Sequence, residues 1–517
     1  MTIRVACVGG GPGGLFFSTL LRRARPDIEV VLFERNQASD AFGFGVVFSD
    51  RTLQKIDAAD PVLHTALESE GVHWDAINVS LRGETFAFAG NGMAAIHRRT
   101  LLRFLQENAA GAGVDLRFGT EAPPLSELRQ SFDIVVGADG ANSRLREELA
   151  GALGPEVETA SAKFIWFGTT HQFDGLTFLH QRGPHGNFAA HAYPIGQGLS
   201  TFIVETDEQT WRRAGLDGFD MSAPPGTSDE VSQQYLRELF AGDIDGAPLV
   251  ANNSRWGNFR TRRTRRWHDG NVVFLGDAVH TAHFSVGSGT KMAMEDAISL
   301  AEQIAVSADD LDAAFHAYEH ERQPDVARIQ AAAGPSLSWW EHFAFYYEVL
   351  TPLDFAFHFF SRSIDIDRVR RRDPALADAV TDSWNREHGA PPFQTALRTG
   401  RATLSGRNLL VRDRDGERIV EDTDGSALVV GRDITSLVAP EDSHLIADMP
   451  PVAGADAVLV EGGSALSRSL IAERLRLEGG IPSIILDDGL DDAAAATLIL
   501  SGRADAVART GAVRAIA

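Results

Sequence analysis

Six residues near the N-terminus, Gly9-Gly10-Gly11-Pro12-Gly13-Gly14, constrain the fold more than any other part of the chain. They follow an apolar run, Ile3 to Val8, that reads as a strand. Leu15 to Arg23 then reads as a helix, and Glu29 to Phe33 as a second strand ending in Glu34-Arg35. Gly9, Gly11 and Gly14 fit G-x-G-x-x-G. In that pattern the first glycine makes the turn, the second lets backbone approach a pyrophosphate, and the third lets the helix pack on the strand. The helix N-terminus faces the phosphates, and Glu34, at the end of the second strand, stands where an acid meets an adenosine ribose. The whole context predicts dinucleotide binding. A glycine-rich turn without a ligand is the plain alternative.

Two later motifs recur at the ends of strands. Asp139-Gly140-Ala141-Asn142-Ser143-Arg144 closes the apolar run Asp133 to Gly137. Gly276-Asp277-Ala278-Val279-His280 closes Asn271 to Leu275 and leads to Gly287-Ser288-Gly289, with a helix expected from about Ser288. Between them the pattern turns β-like, at Lys163 to Thr170, Asn187 to Tyr193 and Leu199 to Glu205, as for an antiparallel sheet inserted into an α/β domain. The expected fold is α/β: a doubly wound, Rossmann-like domain over 1–162 and 259–324, an inserted β-sheet substrate domain over 163–258, a helical segment and linker over 325–392, and a small α/β domain over 393–517. Asp373 to Pro392, with Pro374, Gly389, Pro391 and Pro392 near its ends, reads as the linker.

Composition narrows the function. A net charge of -23 argues against a nucleic-acid surface, which needs excess Lys and Arg. The single cysteine, Cys7, lies in the first apolar run and reads as a buried, inert thiol; it excludes intrachain disulfides and multi-cysteine zinc sites, and no metal is expected. Met1 passes straight into a strand, so no signal peptide is expected. No run of about 18 apolar residues predicts a membrane span, and the aromatic stretch Phe343 to Phe360 reads as a buried helix pair. A cytoplasmic protein, with a homodimer as one possible assembly, is the expectation.

In order and spacing, the Gly-rich turn, the Asp139-Gly140 motif and the Gly276-Asp277 motif resemble the group A FAD-dependent aromatic hydroxylases, the family that includes para-hydroxybenzoate hydroxylase. Tyr318-Glu319 to Arg322-Gln323-Pro324 resembles the helix that follows the Gly-Asp motif there. The resemblance implies bound FAD, reduced by NADH or NADPH, with O2 added at the flavin C4a position supplying one oxygen to an electron-rich ring. It places Gly9, Gly11, Pro12, Gly13, Gly14, Glu34, Arg35, Phe48, Arg98, Asp139, Gly140, Gly276, Asp277, Val286, Gly287, Ser288 and Gly289 at the cofactor. Asp277 would accept from the ribityl hydroxyls, and the amides of 287–289 would stabilise negative charge on the reduced ring. Arg98 has a surface helix charge, and Arg144 a structural ion pair, as its alternative.

Two further runs depart from the broad family: Phe42-Gly43-Phe44-Gly45-Val46-Val47-Phe48-Ser49-Asp50, and His280 to Lys291 with Phe284 and Lys291 where proline and asparagine are usual. Both resemble the aryl-coenzyme A hydroxylases, the branch of salicylyl-CoA hydroxylases and of the hydroxylase half of 2-aminobenzoyl-CoA monooxygenase/reductase. Trp166 to Thr170 and Trp211 to Gly215 strengthen that likeness. The implied substrate is an aryl-CoA thioester, salicylyl-CoA hydroxylated at C5, para to its hydroxyl. A free phenol, or a non-catalytic flavin-binding partner protein, are the alternatives. A base on the phenol would help; His171, His191 and His283 are the candidates, with a packed histidine supporting the loop as the alternative for His283 and a surface position expected for His171. His191 and Tyr193 are expected to meet the substrate from the inserted sheet, with core packing as their alternative, so that His283, His191 and Tyr193 form the expected catalytic set. Two arginine clusters, Arg260 to Arg266 and Arg368 to Arg372, offer phosphate sites or plain solvated charge. The last ~125 residues echo a flavin barrel like Old Yellow Enzyme but fall short of the ~200 residues a full barrel needs, so a shortened tail with no second flavin is expected.

Overall fold

The computed structural model describes residues 3–511 except 42, 50–52, 225, 401, 450, 451 and 453, and leaves aside the side chains of Val286 and Asp448. Two compact units result: residues 1–85 with 91–344, and residues 86–90 with 345–517. Phe42 and Asp50 of the motif run lie outside the described residues. Among those described, no helix is long and apolar enough to cross a membrane.

The first unit is built on a six-stranded sheet in the order His268–Asp269, Val272–Phe274, Ile134–Gly137, Arg4–Val8, Glu29–Glu34, Asp115–Phe118. All pairs are parallel except the first. Parallel strands are covered on both faces, which is why Val5 to Cys7, Ile134 to Val136 and Val272 to Phe274 are fully buried. Burial pushes the Cys7 thiol up to about 12, so it is inert as expected. Pro12–Ala24 is the crossover helix, with Gly11 as its cap and Pro12 in its first turn. Gly9 sits at φ +116°, and a Cβ there would lie 2.2 Å from the Ala138 carbonyl oxygen, so only glycine fits the turn.

A second sheet runs Leu249–Ala251, Pro155–Thr169, Leu199–Thr206, Gly186–Gly196, Leu176–Gly183, Ile77–Leu81, and Gly257–Thr264 also pairs with Pro155–Thr169. It starts before residue 163 and ends after 258, and Ile77–Leu81 joins it in parallel, so it is not purely antiparallel. Alternation assigns its faces. Ile165, Phe167, Leu179, Ala190, Ala192, Phe202 and Val204 point into one apolar core. Their neighbours point the other way and form the substrate-side wall described below.

The expected linker is corrected. Pro374–His388 is a helix, with Asp373 accepting from the Leu376 amide at its start and Gly389 in the left-handed conformation at its end. The proline and glycine that read as linker punctuation are helix start and stop signals. In the second unit a seven-stranded sheet runs Ala427–Val429, Glu417–Glu421, Asn408–Arg414, Ala506–Thr510, Ser483–Leu486, Val458–Glu461, Thr435–Val438, its last five strands parallel. Arg418 and Glu461 stand on strands four spacings apart, about 19 Å if the sheet were flat. Yet the guanidinium forks both carboxylate oxygens at 2.7 and 2.6 Å. The sheet is therefore curled, and Leu409, Val420, Leu428, Leu459, Ile484 and Ala506 fill its inner face.

Candidate active site

The cofactor end lies at the carboxyl ends of the parallel strands, where ligands of such sheets bind. Glu34 Oε2 accepts from the Gly10 amide at 2.8 Å, and its Oε1 accepts from the Asn36 amide at 2.8 Å, which fixes the acid beside the turn. A Cβ on Gly11 would meet nothing within 4 Å: the glycine faces open space, as a pyrophosphate requires. Arg35 is exposed, and Phe48 is buried in the first core. Asp139 Oδ2 accepts from the Arg144 amide at 2.9 Å, while the Arg144 side chain pairs with Glu121, the structural alternative.

The Gly276-Asp277 turn is held by a buried ionic network. Asp296 Oδ2 accepts from the Gly276 amide at 3.0 Å and lies 2.6 Å from His280 Nε2; its Oδ1 accepts from Arg322 Nε at 2.9 Å. Arg322, fully buried, also donates to Glu295 and Asp325. Burial pushes the Asp296 carboxyl up, but His280 and Arg322 pull harder and hold it below its ordinary value. Asp277 differs: its side chain is solvent-accessible, yet enclosure by protein raises its carboxyl despite the opposing charges of His280, Arg98 and Arg262. That combination describes the floor of a cleft. Arg98 is half-buried, its charge disfavoured by burial and supported by Asp277 and Tyr193. Arg262 is thus buried near Asp277 and Arg263 pairs with Glu158, so the first arginine cluster is split across a strand. Beyond the turn, Val286 closes a short 3-10 turn, Gly287 is left-handed at φ +61°, and Ser288 precedes the helix Gly289–Val306 without a side-chain hydrogen bond to its first amides.

These residues fit FAD. Two buried polar atoms, Asp139 Oδ1 and Ser288 Oγ, have no hydrogen-bond partner, which costs about 1–3 kcal/mol each unless a ligand satisfies them. Both belong to motifs assigned to the cofactor, as do open Gly11 and accessible Asp277.

The substrate end is the second face of the inserted sheet. Register aligns Phe164 with Glu205, Trp166 and His191 with Ile203, and Phe178 with His191. Phe284, from the loop after the Gly-Asp turn, packs over this face, 5.1 Å from Phe164, 6.1 Å from Trp166 and 5.6 Å from His191 between ring centroids. Trp340 stands 4.1 Å from His191. Both imidazoles singled out in the sequence converge on one acid: Glu205 Oε1 is 3.4 Å from His191 Nε2 and 3.6 Å from His283 Nε2. The Glu205 side chain is 1% exposed, and neither oxygen has a hydrogen-bond partner. Burial, with Glu341 adding to it, holds this carboxyl well above its ordinary value. Tyr193 is on the same face but in another cluster. Its Oη donates to the Gly45 carbonyl at 3.3 Å, its ring stacks on Trp74, and burial pushes it up to about 12. His171 is partly exposed beside Asp245.

A profile of the FAD binding domain family matches residues 2–333. The chain belongs to that family. It is 53% identical over 518 residues to a salicyloyl-CoA 5-hydroxylase of Streptomyces sp, covering 98% of this chain and 100% of that one. It is 35% identical over 337 residues to a 3-hydroxy-4-methyl-anthranilyl-[aryl-carrier protein] 5-monooxygenase of Streptosporangium sibiricum, covering 65% of this chain and 89% of the relative. A solved 2-methyl-3-hydroxypyridine-5-carboxylic acid oxygenase shares its fold at a TM-score of 0.53 and 20% identity, over 70% of this chain and 99% of that one. PqsL from P. aeruginosa does so at 0.52 and 23%, over 66% and 96%. The chain is an FAD-dependent monooxygenase of this group, with the fold expected from its motifs. The Streptomyces relative is matched over the C-terminal unit as well, which the family profile does not reach.

Sequence reasoning missed Glu205, Phe284 as the centre of the aromatic wall, and Trp340. Glu205 carried one signal: an acid inside an apolar alternating strand, on the same phase as Thr201 and Ile203. Away from the site, His268, Asp312 and His316 each bring a possible metal-ligand atom within 4.8 Å of the others, though the last two are solvent-exposed.

Proposed function

We propose that the chain hydroxylates an aryl-CoA thioester on the ring, with salicylyl-CoA giving gentisyl-CoA, at the expense of NAD(P)H and O2. The observation that carries this reading is 53% identity along the whole length of a salicyloyl-CoA 5-hydroxylase. The bound flavin supplies the oxygen-transfer chemistry. The chain's own residues do the rest. Backbone at Gly9, Gly11, Pro12, Gly13 and Gly14 receives the pyrophosphate and Glu34 the ribose. Asp277, Arg98 and the amides of Gly287, Ser288 and Gly289 hold the ribityl chain and the ring system. Phe164, Trp166, Phe284 and Trp340 exclude water and bracket the substrate ring. C5 is the carbon para to the substrate's hydroxyl, so removing that proton raises its electron density; His283 and His191 are the bases nearest the aromatic wall. The work is cytoplasmic in this reading, where NAD(P)H and CoA thioesters are made.

The test is NADH oxidation by the purified yellow protein with and without salicylyl-CoA, the product mass being measured. Strong stimulation with a gain of one oxygen, and free salicylate inert, is the expected result. Stimulation by free salicylate in place of the thioester sinks the CoA assignment.

A further inference from the structure

We infer that Glu205 is a positioning residue which, through His283, makes the Ser285 hydroxyl a proton acceptor for the ring hydroxyl of the substrate. The inference rests on the proposed phenolic substrate and extends it to a group that carries no motif. Its first support is the tautomer of His283. The ring's Nδ1 lies 2.7 Å from Ser285 Oγ and also receives the Ser285 backbone N–H at 3.4 Å. An amide only donates, so Nδ1 is the acceptor and the ring proton sits on Nε2, the nitrogen that faces Glu205 at 3.6 Å. Ser285 Oγ is in turn 2.8 Å from Ser336 Oγ. With Ser336 donating to Ser285, Ser285 donating to His283 and His283 turned toward Glu205, the directions agree along the whole chain.

Glu205 itself is the second support. A buried carboxyl with neither oxygen hydrogen-bonded is costly, and nothing in sheet packing requires one at a position flanked in register by Phe164 and Ala189. The groups that face it are His191 from Gly186–Gly196, His283 from the Gly-Asp loop and Glu341 from Leu311–Val349, with His180 further along the same face. Glu341 is already engaged by the Ser161 amide and hydroxyl. One acid between two imidazoles can exchange a proton with either without changing the cluster's net charge, the one rearrangement a low-dielectric site tolerates cheaply. Neither imidazole is hydrogen-bonded to the acid, and such contacts are often long or poorly aligned before substrate closes the site.

The step balances as a pure proton transfer. The ring O–H bond breaks as its proton passes to Ser285 Oγ; the Ser285 proton passes to His283 Nδ1; the imidazolium so formed is stabilised by the Glu205 carboxylate or hands it the Nε2 proton. The ring oxygen keeps the electron pair and feeds it to the para carbon. No electron is gained or lost.

The test uses the full-length, FAD-loaded protein. Salicylyl-CoA is titrated against wild type, Glu205→Gln, Glu205→Asp and Ser285→Ala, reading phenolate absorbance of the bound ligand against pH, then kcat and KM. For Glu205→Gln the expected result is a fall in kcat of about 100-fold at unchanged KM and flavin content. Phenolate should then form only at higher pH, with partial recovery in Glu205→Asp. Ser285→Ala should show the same pH shift, and the double Glu205→Gln/Ser285→Ala variant should be no worse than either single one, because the groups act as one chain. A pH profile of Glu205→Gln that superimposes on wild type overturns the inference while the substrate reading stands. A wild type that yields no hydroxylated product removes the reading, and the inference with it.

Discussion

Two buried acids in the first unit, Asp296 and Glu205, are opposites. Asp296, below the Gly-Asp turn, has its oxygens taken by the Gly276 amide, His280 and Arg322, and its carboxyl is held below the ordinary range. Glu205, on the substrate wall, has no hydrogen-bond partner and a carboxyl held well above that range. Both are almost fully buried. Burial alone therefore says nothing about role; satisfaction does. A fully satisfied buried charge fixes a conformation, here the turn that presents Asp277. An unsatisfied one is a standing cost, and such costs gather where chemistry needs them. The second unit repeats the first pattern: Glu473 accepts from Tyr346 Oη at 2.6 Å and lies 3.2 Å from His358 and 3.3 Å from Arg503.

The largest effect should come from breaking the satisfied network. Arg322→Met strips Asp296 of its guanidinium and leaves Glu295 to Lys291 alone, and removing one partner of a buried pair costs about 3–5 kcal/mol. Denaturant melts of the variant should show that loss, and the released Gly-Asp turn should shed flavin, read as the ratio of 450 nm to 280 nm absorbance. A variant that melts like wild type would mean that the network does not hold the turn. Next in size is Gly11→Ala, which sharpens the comparison from the cofactor side. Its methyl group meets no protein atom within 4 Å, so the apoprotein should melt unchanged. The same methyl enters the space a pyrophosphate needs, and FAD affinity should fall at least about tenfold, roughly 1.4 kcal/mol, by titration of apoprotein followed through flavin fluorescence. Equal loss of apoprotein stability would show that the space belongs to the fold instead.

The difference between the two acids also explains what could be read in advance. The turn at Gly9 and the place of Glu34 beside it were legible because a strand–turn–helix sets both at fixed offsets along a short stretch of chain, and such demands are local. The linker around Pro374 and Gly389 was misread because the same residues cap helices and punctuate loops; only the intervening apolar spacing decides, and Leu376, Ala377 and Val380 do bury there. Glu205 was illegible for a deeper reason. The groups that face it come from the neighbouring strand, His191, and from a loop and a helix far along the chain, His283 and Glu341, which only the tertiary fold brings together. Tyr193 shares the phase of His191, as alternation says, yet two residues along the strand it faces Gly45 and Trp74 instead.

The smallest effect should be the most diagnostic, because its sign is reversed. Replacing Glu205 by Met removes an unsatisfied buried carboxyl and keeps its volume, so it should stabilise the protein at neutral pH by about 1 kcal/mol, the low end of such a cost, while hydroxylation is lost. The pH dependence fixes the cause. In the folded protein the raised carboxyl binds its proton more tightly than in the unfolded chain, where it titrates near its ordinary 4.5. Above that pH the unfolded state therefore holds fewer protons, and wild-type stability must fall as pH rises toward the folded value. The gap between Glu205→Met and wild type should accordingly be small near pH 4.5 and widen as pH rises, measured by chemical denaturation across the range. Asp296 works the other way: its contribution is complete above 3.8, its ordinary value, and is lost only as pH falls through its lower folded value. A gap that stays constant with pH would mean that Glu205→Met acts through packing, and that the carboxyl carries no stored cost for the site to use.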